Sequence, residues 1–166
     1  SVEIKARPGS KRIEFTGETH LAGVAAVWPI NEELDMESRM AIGILSKVLE
    51  QRIIDVFREN LGLTYSPQVQ FVPFVEYPKY ALIRSFIDCS PAEADRIAKM
   101  IGEISSKLAE EGIGEDELHG VINPMNTGFK QVLKTNEYLL DRVLKRAQSH
   151  PESMQEFLAL NKEDVF

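Results

Sequence analysis

A change of period at Gly62 constrains this chain more than any other feature. Before it, Ala41, Leu45, Val48, Leu49, Ile53, Val56 and Phe57 recur at three- and four-residue steps, the spacing of one apolar helix face. Lys47, Glu50, Gln51 and Asp55 fall largely off that stripe. After it, Val69 and Phe71 alternate with Gln68 and Gln70, the two-residue step of a half-buried strand. Gly62 suits the left-handed position that ends a helix. A long helix must therefore stop and turn directly into a strand. The turn carries Arg58 on one side and Tyr65 on the other, seven residues apart.

The remaining pattern fills in around that turn. Residues 1–15 begin as an alternation of Val2, Ile4 and Ala6 with Glu3 and Lys5. Pro8-Gly9 interrupts it, and Ile13 and Phe15 resume it. Opening in a strand-like pattern fits a piece of something larger. Residues 24–28, Val-Ala-Ala-Val-Trp before Pro29, read as a buried central strand. Asp35 is placed to cap the long helix, with Glu37 in its first turn. Pro67 and Pro73 mark the strand of residues 65–75 as an edge or irregular one. Residues 80–88, with Ala81, Ile83, Ser85 and Ile87 on one face, give it an antiparallel partner.

Ser90-Pro91-Ala92-Glu93 has the form of a capping box. It leads into a helix striped by Ala94, Ile97, Ala98, Ile101, Ile104 and Leu108 up to Gly112. A further helix starts near Glu115. Asn123-Pro124 is expected to interrupt it, because proline removes an amide donor. It resumes near Thr127 and runs to about Ala147, and residues 149–160 carry a short last helix. Strands and helices are segregated, not alternating. The expected fold is α+β, with helices packed on a mostly antiparallel sheet.

Composition removes several functions. A formal charge of −7 over 166 residues leaves no basic excess to neutralise nucleic-acid phosphates or an anionic membrane. No apolar run approaches the roughly 18 residues of a membrane span. One cysteine, Cys89, precludes an internal disulfide and leaves the compartment open. His20, His119 and His150 are far apart, and no His-x-x-Glu-His or its inverse occurs, so no zinc site can be read. Cys89 lies just before a helix start that could lower its pKa, but no histidine is near it in sequence. No Gly-x-Ser-x-Gly or phosphate-binding glycine loop is present.

That leaves Arg58 and Tyr65. A guanidinium and a phenol are donors suited to a peptide carbonyl or to an oxyanion forming from it. The plainer use of the same two residues is structural: Arg58 over the last helix carbonyls, Tyr65 half buried. Local spacing favours the plainer use.

The stretch also resembles the second half of the insulinase/pitrilysin family of zinc peptidases. There a long helix ends in Arg-Glu-x-x-Gly and is followed by x-x-Tyr-Ser and a strand. Arg58, Glu59, Gly62, Tyr65 and Ser66 match that order. The likeness extends to residues 20–29 (central strand), 87–91 (strand-to-helix step), 112–118 (Gly-Ile-Gly-Glu-Asp-Glu-Leu, a helix link) and 160–165 (closing segment). No one piece is specific; their order and spacing are.

The resemblance implies a clamshell enzyme built of homologous domains. One half carries zinc on an inverted motif. The other lacks zinc and contributes an arginine and a tyrosine to peptide binding and transition-state support, here Arg58 and Tyr65. On that reading residues 1–166 are a single domain, the C-terminal substrate-binding domain of a larger zinc endopeptidase. The isolated chain is then not expected to cleave peptides. Its partners are a zinc-bearing half, fused or separate, and a peptide substrate. An isolated half could also form a homodimer through surface meant for its partner. The resemblance leans towards the bacterial periplasm. Relatives of the fold also serve as inactive scaffold subunits, which stays open as an alternative, as does a ligand-binding module with a pocket at the sheet end.

Overall fold

A computed structural model describes residues 9–17, 20–61, 66–74 and 76–132. Three strands and three helices follow one another as β1 (Ala22–Ile30), α1 (Met36–Leu61), β2 (Gln68–Pro73), β3 (Ala81–Cys89), α2 (Ala94–Glu111) and α3 (Glu115–Val132). The chain divides into two compact units, Ser1–Gly114 and Glu115–Phe166. The first contains the sheet, α1 and α2; the second contains α3.

The sheet order is β1-β3-β2, antiparallel throughout. β2 and β3 form the expected hairpin. Its connection closes with Tyr77 N–H to the Phe74 carbonyl (3.3 Å) and Tyr80 N–H to the Tyr77 carbonyl (2.8 Å). The Phe74 and Tyr80 rings lie against each other there, centroids 5.4 Å apart. Helix α1 packs on β2, α2 packs on β1, and the two helices touch each other. They therefore cover one face of the sheet, and strand alternation follows from that. Val24, Val69, Ala81, Ile83, Ser85, Ile87 and Cys89 are buried beneath the helices, while Ala25, Val27, Gln68, Gln70, Arg84 and Phe86 are exposed on the other face.

The α1 stripe supplies Val48, Leu49, Ile53 and Phe57 to this core, and α2 supplies Ile97, Ile101, Ile104 and Leu108. Ala41 and Ala98, which belong to the same stripes by spacing, are exposed. Asp35 caps α1 as its position predicts. Its Oδ1 accepts the Ser38 N–H (2.8 Å), and its carbonyl accepts the Arg39 N–H (3.1 Å). The Ser38 amide holds the Asp35 carboxyl below its ordinary pKa. Gly112 ends α2 at φ 73°, with its N–H on the Leu108 carbonyl (3.0 Å). The Arg52 guanidinium of α1 donates to the Gly112 carbonyl (2.8 Å), tying the two helices at that end.

Five expectations are corrected. First, residues 24–28 are not a buried central strand. The hairpin folds back so that β3 lies in the middle, and among the described residues β1 pairs with β3 alone. β1 therefore alternates, with Val24 buried and Val27 53% exposed. Second, Pro29 does not end β1 but pairs with Leu82 inside it. A proline is tolerated where its nitrogen faces away from the ladder. Third, residues 9–17 form no strand, and Phe15 is 88% exposed.

Fourth, the capping box does not form. Residues 91–93 make a turn in which the Glu93 N–H bonds the Ser90 carbonyl (3.1 Å), so the backbone supplies what the serine hydroxyl was expected to supply. α2 then starts at Ala94 with no side-chain cap. Fifth, Pro124 lies inside α3 without breaking it. One lost amide is a local cost that the other helical hydrogen bonds outweigh. The expected segments beyond residue 132, like residues 1–8, lie outside the described residues.

Ser85 is the one polar side chain at the centre of the inner face that has no hydrogen-bond partner among the described residues. It is 1% exposed and pairs across the sheet with Ala26 and Val69. A buried hydroxyl without a partner has lost its water and gained nothing in return. Ser85→Ala is therefore expected to raise unfolding free energy by about 1 kcal/mol. Urea unfolding would show this as a higher midpoint at unchanged slope. A lower midpoint would mean that the hydroxyl is bonded.

Candidate functional site

Arg58 lies in the last turn of α1. Its position follows from the stripe. Ile53 and Phe57 are 0% and 1% exposed, so the helix is pinned to the core immediately before Arg58, and the next residue along the helix is carried out to the surface. The Arg58 side chain has no ion pair or hydrogen-bond partner among the described residues, and it is exposed. The expected structural use, in which Arg58 bonds the last helix carbonyls, is thus not seen. Its charge still complements the helix dipole. Tyr65 and Gly62 lie outside the described residues, so the distance between Arg58 and Tyr65 is not among the described geometry.

No group of three or more His, Cys, Asp and Glu side chains able to hold a metal occurs among the described residues. His20 and His119 are exposed, and His150 lies outside the described residues. No described helix is long and apolar enough to cross a membrane. The concave surface is shallow. A groove of about 270 Å³ runs between α1 and α2 over Val56, Met100 and Ile104, rimmed by Arg96 and Glu103. A second lies beside it and is bordered by Glu59, the neighbour of Arg58.

Cys89 is buried at the end of β3. The helix start that follows does not activate it. Burial pushes the thiol pKa up, and the Asp88 and Glu93 carboxylates push in the same direction. The geometry makes Cys89 a small buried residue at a strand end. The thiol's pKa is higher in the folded than in the unfolded chain. Its contribution to stability is therefore complete below the unfolded value, about 8.5, and is lost as pH rises through the folded one. Stability is expected to fall between about pH 7 and about pH 9.5, and to fall less in Cys89→Ala. Urea unfolding of both proteins at the two pH values checks the difference.

Sequence reasoning missed Glu50. By spacing it falls largely off the α1 stripe, yet it is half buried and reaches the sheet. Its Oε1 accepts the Val69 N–H of β2 (3.0 Å), and its Oε2 accepts the Lys47 ammonium (2.7 Å). Glu50 adjoins the apolar stripe in sequence, next to Leu49, and that adjacency was the available signal.

No family model matches the chain. A curated relative described as "Zinc protease PQQL-like", from Arabidopsis thaliana, is 26% identical over 119 residues, 69% of this chain and 12% of that protein. The periplasmic protease PqqL from Escherichia coli shares the fold. Its crystal structure aligns with a TM-score of 0.67 at 16% identity, over 81% of this chain and 15% of that one. The chain thus spans about an eighth of the curated relative's length. The α+β architecture agrees with that structural neighbour, three helices with a three-stranded antiparallel sheet. Sequence likeness and shared fold together relate this chain to the insulinase/pitrilysin-type zinc proteases.

Proposed function

We propose that this chain is a domain of the zinc-free, substrate-binding half of a zinc endopeptidase. The observation that carries the reading is the match over 69% of the chain to a zinc protease, joined to an exposed arginine that has no partner among the described residues, at the helix end where that reading needs one. Zinc, when bound in the partner half, would supply a polarised water for attack on the peptide carbonyl. The chain's own residues would do two things. The Arg58 guanidinium would hold the substrate backbone from its carbonyl side. The Tyr65 hydroxyl, together with that guanidinium, would donate to the oxygen on which charge develops as the carbonyl becomes tetrahedral. Donors stabilise developing charge best when they need not reorganise.

The test is to combine the 166-residue chain with the zinc-bearing half of its protein and measure cleavage of an unfolded peptide. Cleavage that needs both pieces is the expected result. A chain that binds the zinc half without affecting cleavage would be a scaffold, and the reading would fall.

A further inference from the structure

The outer edge of β2 is closed, and the closure is built from three residues of one parity. In an antiparallel pair, successive amides point alternately towards the partner strand and away from it. The Val69 amide bonds Glu50, not β3, so it points away. Residues 67, 71 and 73 share that direction. Pro67 and Pro73 have no N–H to offer, and proline at position 73 is allowed for that reason, since its nitrogen faces away from β3. Glu50 consumes the Val69 donor. Among the described residues, Phe71 alone keeps a donor on this edge. The carboxylate itself is steadied by Lys47 at 2.7 Å, so the bond to Val69 is charge-assisted and held in place.

We propose that Glu50 is an edge guard: with Pro67 and Pro73 it closes β2 to pairing with the same strand of a second copy of this chain. β2 is self-complementary in a way that calls for a guard. Gln68–Pro73, Gln-Val-Gln-Phe-Val-Pro, carries no charged side chain that would repel its own copy. Two such strands meeting antiparallel about Phe71 would exchange both Phe71 bonds. The Val69 N–H of each would then reach the Pro73 carbonyl of the other. With Glu50 in place that second set of bonds is unavailable, and two carboxylates face each other across the new seam. Glu50 thus discriminates against the pairing by occupation and by charge. None of this depends on the chain serving a peptidase, and it can fail while that reading stands.

Glu50→Met tests the guard, because it keeps the apolar stem and removes the acceptor. The Val69 amide is expected to exchange with solvent roughly 10-fold faster in dilute solution. At higher concentration light scattering should report a dimer that the parent chain does not form, with the Phe71 amide newly protected in it. Glu50→Gln retains an acceptor oxygen but not the charge, and is expected to associate much less than the Met variant. Pro73→Val, at an exposed position, restores an outward donor and should promote the same dimer more weakly. Unchanged Val69 exchange in a folded Glu50→Met would overturn the proposal. So would a dimer without Phe71 protection, a Gln variant that associates as the Met variant does, or, should Glu50→Met not fold, a Pro73→Val chain that keeps the parent's mass throughout.

Discussion

Phe57→Ala is expected to lower the unfolding free energy by about 3–5 kcal/mol, a larger loss than any other single truncation in α1 should cause. Phe57 is 1% exposed and is the largest of the fully buried side chains. Its removal takes away the apolar area that holds the C-terminal turns of α1 to the core and leaves a void that close-packed neighbours fill poorly. Domains of ordinary size are stable by roughly 5–15 kcal/mol, so a loss of this size consumes about a fifth or more of the total. Phe57→Leu keeps most of the volume and should cost much less. Urea unfolding of the three proteins gives the order. A cost below about 1 kcal/mol for alanine would mean that the site relaxes around the gap and that Phe57 is not the anchor of this helix end. The prediction also bears on function, because the residue that follows the anchor is Arg58. Loosening Phe57 should weaken any activity that depends on Arg58 without touching that side chain's chemistry.

The anchor was legible in the sequence, since seven apolar residues at helical steps leave little choice about which face of α1 is buried. So were the β2–β3 hairpin, the inward set from Ala81 to Ile87 and the Asp35 cap. Each rests on local periodicity or on a side chain within three residues of its partner. What failed depended on elements distant in sequence. Residues 24–28 look central because they are apolar, but the centre of the sheet belongs to β3, and a strand's rank is set by how the hairpin folds back. Ser90 to Glu93 has every residue of a capping box, yet the backbone closes a turn first and leaves the serine hydroxyl unused. Pro124 shows the converse error: a local penalty was allowed to outweigh a helix that extends well to both sides of it. Glu50 was lost for a related reason. A carboxylate beside an apolar stripe is ordinarily solvated, and only the arrival of β2, nineteen residues later, gives it an amide to accept from. For the site itself, Arg58 is exposed at the helix end as its place just past the stripe requires. Its pairing with Tyr65 came from resemblance, and Tyr65 lies outside the described residues.

Arg58→Ala in the assembled peptidase is expected to lower kcat/KM by about 10²–10³-fold, the usual consequence of deleting one preorganised donor to a developing oxyanion. Stability should scarcely change. The side chain is exposed, and its attraction to the helix dipole is worth only a few tenths of a kcal/mol once solvent screening is counted. That contrast separates Arg58 from Phe57: one substitution should lower activity in a protein of unchanged stability, the other should destabilise the fold. The division of the loss says what the guanidinium does. If it holds the substrate backbone equally in ground and transition states, KM rises and kcat is preserved; if it acts on developing charge, kcat falls. Arg58→Lys keeps the charge but not the planar fork, so it should restore a bound ground state better than it restores kcat. Tyr65→Phe removes a single O–H and should fall in kcat. The double variant should cost less than the product of the two single losses if both donors serve one oxygen, because neither is worth its full amount once the other is gone. Losses that simply multiply would place Arg58 and Tyr65 on different atoms of the substrate. Full activity in Arg58→Ala would remove the residue from the site altogether and leave it as an exposed charge at a helix end.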